Sequence, residues 1–220
     1  MLITAPPAAH SLAFGAVADQ LVDVVRFLNG KGWTPATSSN FSARIPGFEL
    51  LAISRSGVDK AAFTAADVMI VDRQGRHVWP EGARSSAETL IHTAIYDLFE
   101  PGAVLHTHSV MATAFSVLRS QSEMAAFSGL ELLKGLSGVT THDTSIEVPI
   151  FPNDQDMERF SAMLRRELAG RSRHGFLIAG HGLYTWGETL GDAQRHVEVF
   201  EFLFELALRM EGFNGTAHHS

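Results

Sequence analysis

The sequence predicts an α/β domain built on a mixed β-sheet, and three observations carry that reading. Stretches with helical spacing of apolar residues alternate with short strand-like stretches along most of the chain. Between Phe41 and Trp79 the strand-like stretches are joined by tight turns, which adds antiparallel pairs to the sheet. No internal repeat and no linker-like stretch divides the 220 residues, so residues 1–220 are expected to form one domain with a frayed tail from about 212 to 220.

Leu12–Asn29 reads as a helix because Phe14, Val17, Leu21, Val24, Val25 and Leu28 share a side, and Gly30 is its expected left-handed cap. Phe41–Ile45 and Phe48–Ile53 read as strands around a Pro46-Gly47 turn. Val68–Val71 and Arg76–Trp79 form a second pair around Arg73-Gln74-Gly75. Ala87–Phe99 reads as a helix, and Pro101-Gly102 breaks the chain before a strand beginning at Ala103. Ser109 opens another helix. Glu123–Phe127 reads as a short strand, with Ser128 capping a helical turn through Leu133. Ile146–Ile150 is a strand, Asn153 or Asp154 caps a helix to about Leu168, and Phe176–Ala179 and Leu183–Trp186 are the last strands. A long helix follows Thr189 and ends near Met210. From Val197 onward it is so apolar that it needs cover on more than one side, from its own domain or from a neighbouring subunit. An oligomer is the expectation adopted.

Composition narrows the function. The net charge of −7 and the lack of a basic run speak against a nucleic-acid partner. There are no cysteines, so a metal site would have to use imidazole and oxygen ligands. Met1–His10 lacks the basic and apolar segments of a secretory leader, and no apolar run approaches the roughly 18 residues of a membrane span. A cytoplasmic protein without membrane contact is expected.

The chemistry centres on Ala103-Val104-Leu105-His106-Thr107-His108. Side chains alternate along a strand, so His106 and His108 face the same way and can grip one metal ion through neutral ring nitrogens. The alternative is one buried, hydrogen-bonded histidine beside an exposed one. His181, in Gly180-His181-Gly182 just after a buried strand, is the candidate third ligand, although a histidine between glycines can be a turn residue only. Three imidazoles with an open position suit a catalytic zinc. Ser39 and Asn40, Ser56 and Gly57 with Lys60, and Ser85 with Ser86 form a second constellation of hydroxyls, backbone N–H groups and one charge suited to an anion. Each pair by itself also fits a cap or turn. Two carboxylates are candidates for proton transfer: Glu88 at a helix start, and Glu131, whose flanking leucines suggest apolar surroundings and a raised pKa. A solvated helix glutamate is the alternative for either.

Together, His106-Thr-His108, Gly180-His181-Gly182-Leu-Tyr-Thr-Trp-Gly187, Ser39-Asn40-Phe-Ser42 and Ser56-Gly57 resemble the class II aldolase/adducin family from about the first helix to the last. The resemblance implies a three-layer α/β/α fold with a mixed central sheet, and a homotetramer with active sites near subunit boundaries. It implies one Zn²⁺ per subunit on His106, His108 and His181. It also implies phosphate binding by Ser39, Asn40, Ser56, Gly57, Ser85 and Ser86. Within the family, Ser56-Gly-Val-Asp-Lys60, Glu131-Leu-Leu-Lys-Gly135 and Leu183-Tyr-Thr-Trp-Gly-Glu188 are most similar to the dehydratases of methionine salvage. Those lyases remove water from a small phosphorylated ketose, 5-methylthioribulose 1-phosphate, and Glu131 matches their acid/base glutamate. Glu88 matches the acid/base of the sugar-phosphate aldolases. An aldolase or epimerase, and a non-catalytic adducin-like domain, are the competing expectations.

Overall fold

The structure, a computed structural model, describes the backbone of residues 11–216 and the side chains of residues 11–212. The readings made for Met1–His10 and for the end of the tail lie outside the described residues. In chain order, α1 spans Ser11–Gly30, β1 Asn40–Arg44, β2 Leu50–Ser54, β3 Val68–Asp72, β4 His77–Trp79 and α2 Thr89–Phe99. Then follow β5 Ala103–Thr107, α3 Val110–Leu118, β6 Met124–Ser128, β7 Ser145–Phe151, α4 Met157–Glu167, β8 Gly175–Ile178, β9 Gly182–Gly187 and α5 Leu190–Thr216.

The nine strands form one sheet in the order β4-β3-β2-β1-β5-β9-β8-β7-β6. Only β7 and β8 run parallel, and these are the strands joined by the crossover helix α4. The other pairs are antiparallel, so the sheet is mixed, but far less parallel than the alternation of helices and strands suggests.

Side-chain alternation in the strands divides the apolar core into two layers. On one face Leu105, Leu177 and Leu183 pack with Leu21, Val25, Phe115, Phe200 and Phe204 of α1, α3 and α5. On the other, Val104, Phe176 and Tyr184 pack with Ile91, Ile95, Phe160 and Leu164 of α2 and α4. This is the expected α/β/α sandwich. Helix α5 is covered largely by its own chain, since it packs on β5, β9, α1 and α3 and buries Val197, Phe200, Leu203 and Phe204. Its Phe202 and Met210 stay exposed.

Three local expectations are corrected. Gly30 ends α1 itself, and Gly32 adopts the left-handed conformation at φ +76°. Ser128 belongs to β6, and the following turn, a 3-10 helix at Glu131–Gly135, has no side-chain cap. Helix α4 is capped by Asp156, which accepts from the Arg159 N–H, while Asp154 accepts from the Asp156 N–H one turn earlier.

Candidate metal and anion site

Strand β5 sends His106 toward the α2 layer, as Val104 before it. The His106 ring is fully buried and lies flat on Tyr184, its cross-strand neighbour, at 3.9 Å between centroids and 11° between planes. Tyr184 stacks in turn on Phe176 of β8 at 5.1 Å. His106 Nδ1 donates to the Leu183 carbonyl at 2.9 Å, so in the neutral ring the Nε2 lone pair is free. His108 follows the strand end, where its backbone N–H donates to the Trp33 carbonyl at 2.8 Å.

His181 sits on the turn between β8 and β9. Gly180, at φ +66°, makes that turn, and Ser116 and Thr113 of α3 bond the Gly180 N–H and the His181 carbonyl. At position 182 a side chain is impossible without moving a strand: a Cβ would lie 2.1 Å from the Thr107 carbonyl oxygen and 3.2 Å from His106 Cε1. The Gly-His-Gly motif is therefore the tight approach that brings His181 onto the other two histidines.

One nitrogen from each of His106, His108 and His181 lies within 4.8 Å of the others. His106 Nε2 and His181 Nε2 are 3.3 Å apart, about the separation of two nitrogens that each bind one ion at 2.0–2.1 Å. Glu88 joins them from the N-terminus of α2, with one carboxylate oxygen 3.1 Å from His181 Nε2 and the other 3.7 Å from His106 Nε2. Burial pushes the pKa of His106 well down and that of His108 to about 4, so both rings are neutral. Burial would raise Glu88, but the hydrogen bond from His181, the nearby His106 and His181 rings and the Asn40 amide outweigh it and hold the carboxyl well below its usual range. Neutral imidazoles and an ionised carboxylate are the forms that bind a divalent metal. The donor set fits such an ion.

Beside the histidines lies a cavity of about 140 Å³ lined by Thr37, Ser38, Ser39, Asn40, Arg55, Ser56, Gly57, Ser86, Glu88 and His108. Ser39 adopts φ +73°, and its buried hydroxyl has no hydrogen-bond partner. Gly57, also at φ +73°, turns the second loop. A strained serine with an orphaned hydroxyl suits an anion cradle. A larger cavity of about 820 Å³ lies at the far end of β9, around Trp186, His174 and His196, and holds none of the three histidines.

The structure thus brings together His106, His108, His181, Glu88, Ser39, Asn40, Ser56, Gly57 and Ser86. Ser85 does not line the cavity. Lys60 is fully buried behind it, donating to the Val58 and Thr37 carbonyls, and burial lowers its pKa. Arg55 is the cation at the cavity wall. Glu131 is not in apolar surroundings: its side chain is 73 % exposed, it pairs with Lys134, and His142 lies 3.7 Å away. Its pKa is lowered, chiefly by the Lys134 hydrogen bond, which reverses the sequence expectation. Tyr184 was not legible as a site residue: the sequence placed it in the strand Leu183–Trp186, and only the structure sets that strand beside the histidine strand.

Residues 19–208 match the family described as class II aldolase and adducin N-terminal domain. The chain is 49 % identical over 197 residues to the methylthioribulose-1-phosphate dehydratase of Marinobacter nauticus, covering 89 % of this chain and 94 % of that one. It is 50 % identical over 201 residues to the enzyme of the same name from Hahella chejuensis, covering 90 % and 95 %. Among solved structures, L-fuculose-1-phosphate aldolase from Thermus thermophilus superposes with a TM-score of 0.71 at 25 % identity, covering 92 % of this chain and 98 % of that one. With residues 19–208 matched by that family model and relatives about half identical over nearly their whole length, the chain belongs to the class II aldolase and adducin family.

Proposed function

We propose that the protein is a zinc-dependent dehydratase that converts 5-methylthioribulose 1-phosphate to 5-methylthio-2,3-dioxopentyl phosphate and water, a step of methionine salvage. The observation that supports it most is the pairing of a three-histidine cluster and its adjoining carboxylate with a hydroxyl-lined anion cavity, in a chain about half identical to dehydratases of that name. Zn²⁺ on His106, His108 and His181 would act as a Lewis acid toward the substrate ketone and so acidify the neighbouring C3–H bond.

The chain's own residues supply the rest. Ser39, Asn40, Ser56, the Gly57 backbone and Ser86 hold the phosphate, with Arg55 opposing its charge, and so fix the distance from phosphate to C3. Lys60 braces the cradle from behind by tying the loop of Thr37 to that of Val58. Glu88, ionised beside the histidines, takes the C3 proton. The C3–H electron pair forms the C3–C4 double bond, the C4 hydroxyl leaves as water on receiving a proton, and the enol tautomerises to the diketone. Glu131, solvent-exposed and ionised within one chain, serves the site of an adjoining subunit in this reading, where burial between subunits would raise its pKa and let it protonate the departing hydroxyl. The exposed apolar side chains Val110, Val117 and Leu118 of α3 and Phe202 of α5 offer surface for a homotetramer.

Mixed assemblies test the division of labour. Glu88→Gln and Glu131→Gln homo-oligomers should each lose dehydration while keeping their zinc, and a refolded mixture of the two should recover part of it. Lack of recovery would confine Glu131 to its own chain or remove it from the reaction. The aldolase reading has a specific anchor in the Thermus thermophilus structure, and retro-aldol cleavage would announce itself by release of dihydroxyacetone phosphate.

A further inference from the structure

A stripe of α2 lies against a stripe of β1 with matched spacing. Glu88, His92 and Tyr96 are four residues apart on the helix, about 6 Å per step, and Asn40 and Ser42 are two apart on the strand, about 7 Å per step. The five side chains interlock into one chain of hydrogen bonds, buried except at its Glu88 end: Ser42, His92 and Tyr96 are fully buried, and Asn40 nearly so.

The direction of each bond follows from the one before it. The Asn40 Nδ2–H group donates to the Glu88 carboxylate. The Asn40 Oδ1 atom then faces His92 Nε2 at 2.5 Å, which requires the His92 proton to be on Nε2. His92 Nδ1 is left as an acceptor, and the Ser42 hydroxyl, 2.7 Å away, donates to it. The Ser42 oxygen accepts in turn from the Tyr96 hydroxyl at 3.1 Å, and burial keeps that phenol protonated. Burial likewise pushes the His92 pKa down to about 4, so the ring is neutral, as a one-donor, one-acceptor link must be.

We propose that His92 is a positioning residue for the reaction: through its Nε2–H group it fixes which end of the Asn40 amide meets Glu88, and so aims that carboxylate at the histidine cluster. Without the His92 donor the amide is free to turn over and set its oxygen against the carboxylate, which repels it. This rests on the reading of Glu88 as the proton acceptor. The histidine touches neither the cluster nor the anion cavity, and acts only through Asn40.

Two conservative variants separate this role from a structural one. In His92→Gln the side-chain amide N–H replaces Nε2–H and keeps the bond to Asn40. In His92→Asn the shorter amide replaces Nδ1 and keeps only the Ser42 bond. Asn is one methylene shorter than Gln and leaves the larger gap, so a merely structural role predicts that zinc content, KM or circular dichroism falls along with kcat in His92→Asn, whereas a positioning role moves kcat alone. The expected result is that His92→Asn lowers kcat about 10-fold or more with KM, zinc content and circular dichroism near wild type, whereas His92→Gln retains most of kcat. Equal losses in the two variants, or a wild-type kcat in His92→Asn, would overturn the proposal. Nitrogen-15 NMR of the wild-type histidine rings gives a second readout that needs no substrate. His92 should appear as the neutral Nε2–H tautomer, and an Nδ1–H or doubly protonated ring would overturn the proposal even if turnover agreed. Should the wild-type protein fail to act on 5-methylthioribulose 1-phosphate, the functional reading falls while the tautomer still decides this one.

Discussion

A single methyl group at position 182 separates the three-histidine cluster from a disrupted sheet. Replacing Gly182 by Ala puts carbon against the Thr107 carbonyl and the His106 ring, so β9 must move away from β5 and take His181 with it. Gly182→Ala is expected to cost about 3 kcal/mol or more and to lower bound zinc, as read by thermal melting and elemental analysis. Gly15→Ala on α1, where nothing lies within 4 Å of the new Cβ, serves as the control and should melt no lower than wild type. Full zinc occupancy in Gly182→Ala would remove the close strand approach from the account. The three histidines were legible because strand periodicity and a Gly-His-Gly turn are local properties. Glu131 misled for a local reason too: one turn of 3-10 helix puts residues three apart on the same side, so Glu131 emerges beside Lys134 rather than among its leucines.

At the scale of elements, α3 begins where the histidine strand ends, and its first turn is tied to α5. Ser109 accepts from the Ala112 N–H as the cap of α3 and donates to Glu201 at 2.6 Å. The second Glu201 oxygen is buried without a partner, and burial raises the carboxyl to about 7. The folded protein therefore holds this proton more tightly than the unfolded chain, and the contribution to stability is lost as pH rises from about 4.5 through 7. Glu201→Gln keeps an acceptor for Ser109 and does not ionise. Its stability relative to wild type should rise by about 2 kcal/mol between pH 5 and pH 7 in denaturant titrations. Parallel pH curves for the two proteins would show that Glu201 does not titrate in this range. The elements themselves were nearly all legible, because helix and strand periodicities differ. Strand direction was not: it depends on which neighbour each strand finds, and β5 finds β1 and β9, both antiparallel to it. The link from His92 to Glu88 was hidden for the same reason, since it needs α2 and β1 side by side.

Across the whole molecule, buried titratable groups set the response to acid. Burial lowers His92 and His196 to about 4, so the unfolded chain takes up their protons first and stability falls as pH drops from about 6.5 toward 4. Glu201 works in the opposite direction over nearly the same range. Two histidines against one glutamate leave a net loss of about 1–2 kcal/mol between pH 7 and pH 5 from these groups, and the lowered His106, His108 and His174 add to it, so denaturation of the metal-stripped protein should show at least that loss. A rise in stability over that interval would contradict the assignment of neutral histidines. At this scale the sandwich, with three imidazoles and Glu88 at the ends of its central strands beside a hydroxyl-lined cavity, has the parts that proton removal beside a ketone requires. No helix among the described residues is long and apolar enough to cross a membrane. The most direct test is the mass of the product formed when the zinc-loaded protein is incubated with 5-methylthioribulose 1-phosphate. A phosphorylated product with its carbon chain intact and lighter by one water is the predicted result; a three-carbon phosphate with a separate aldehyde, or unchanged substrate, would contradict the account.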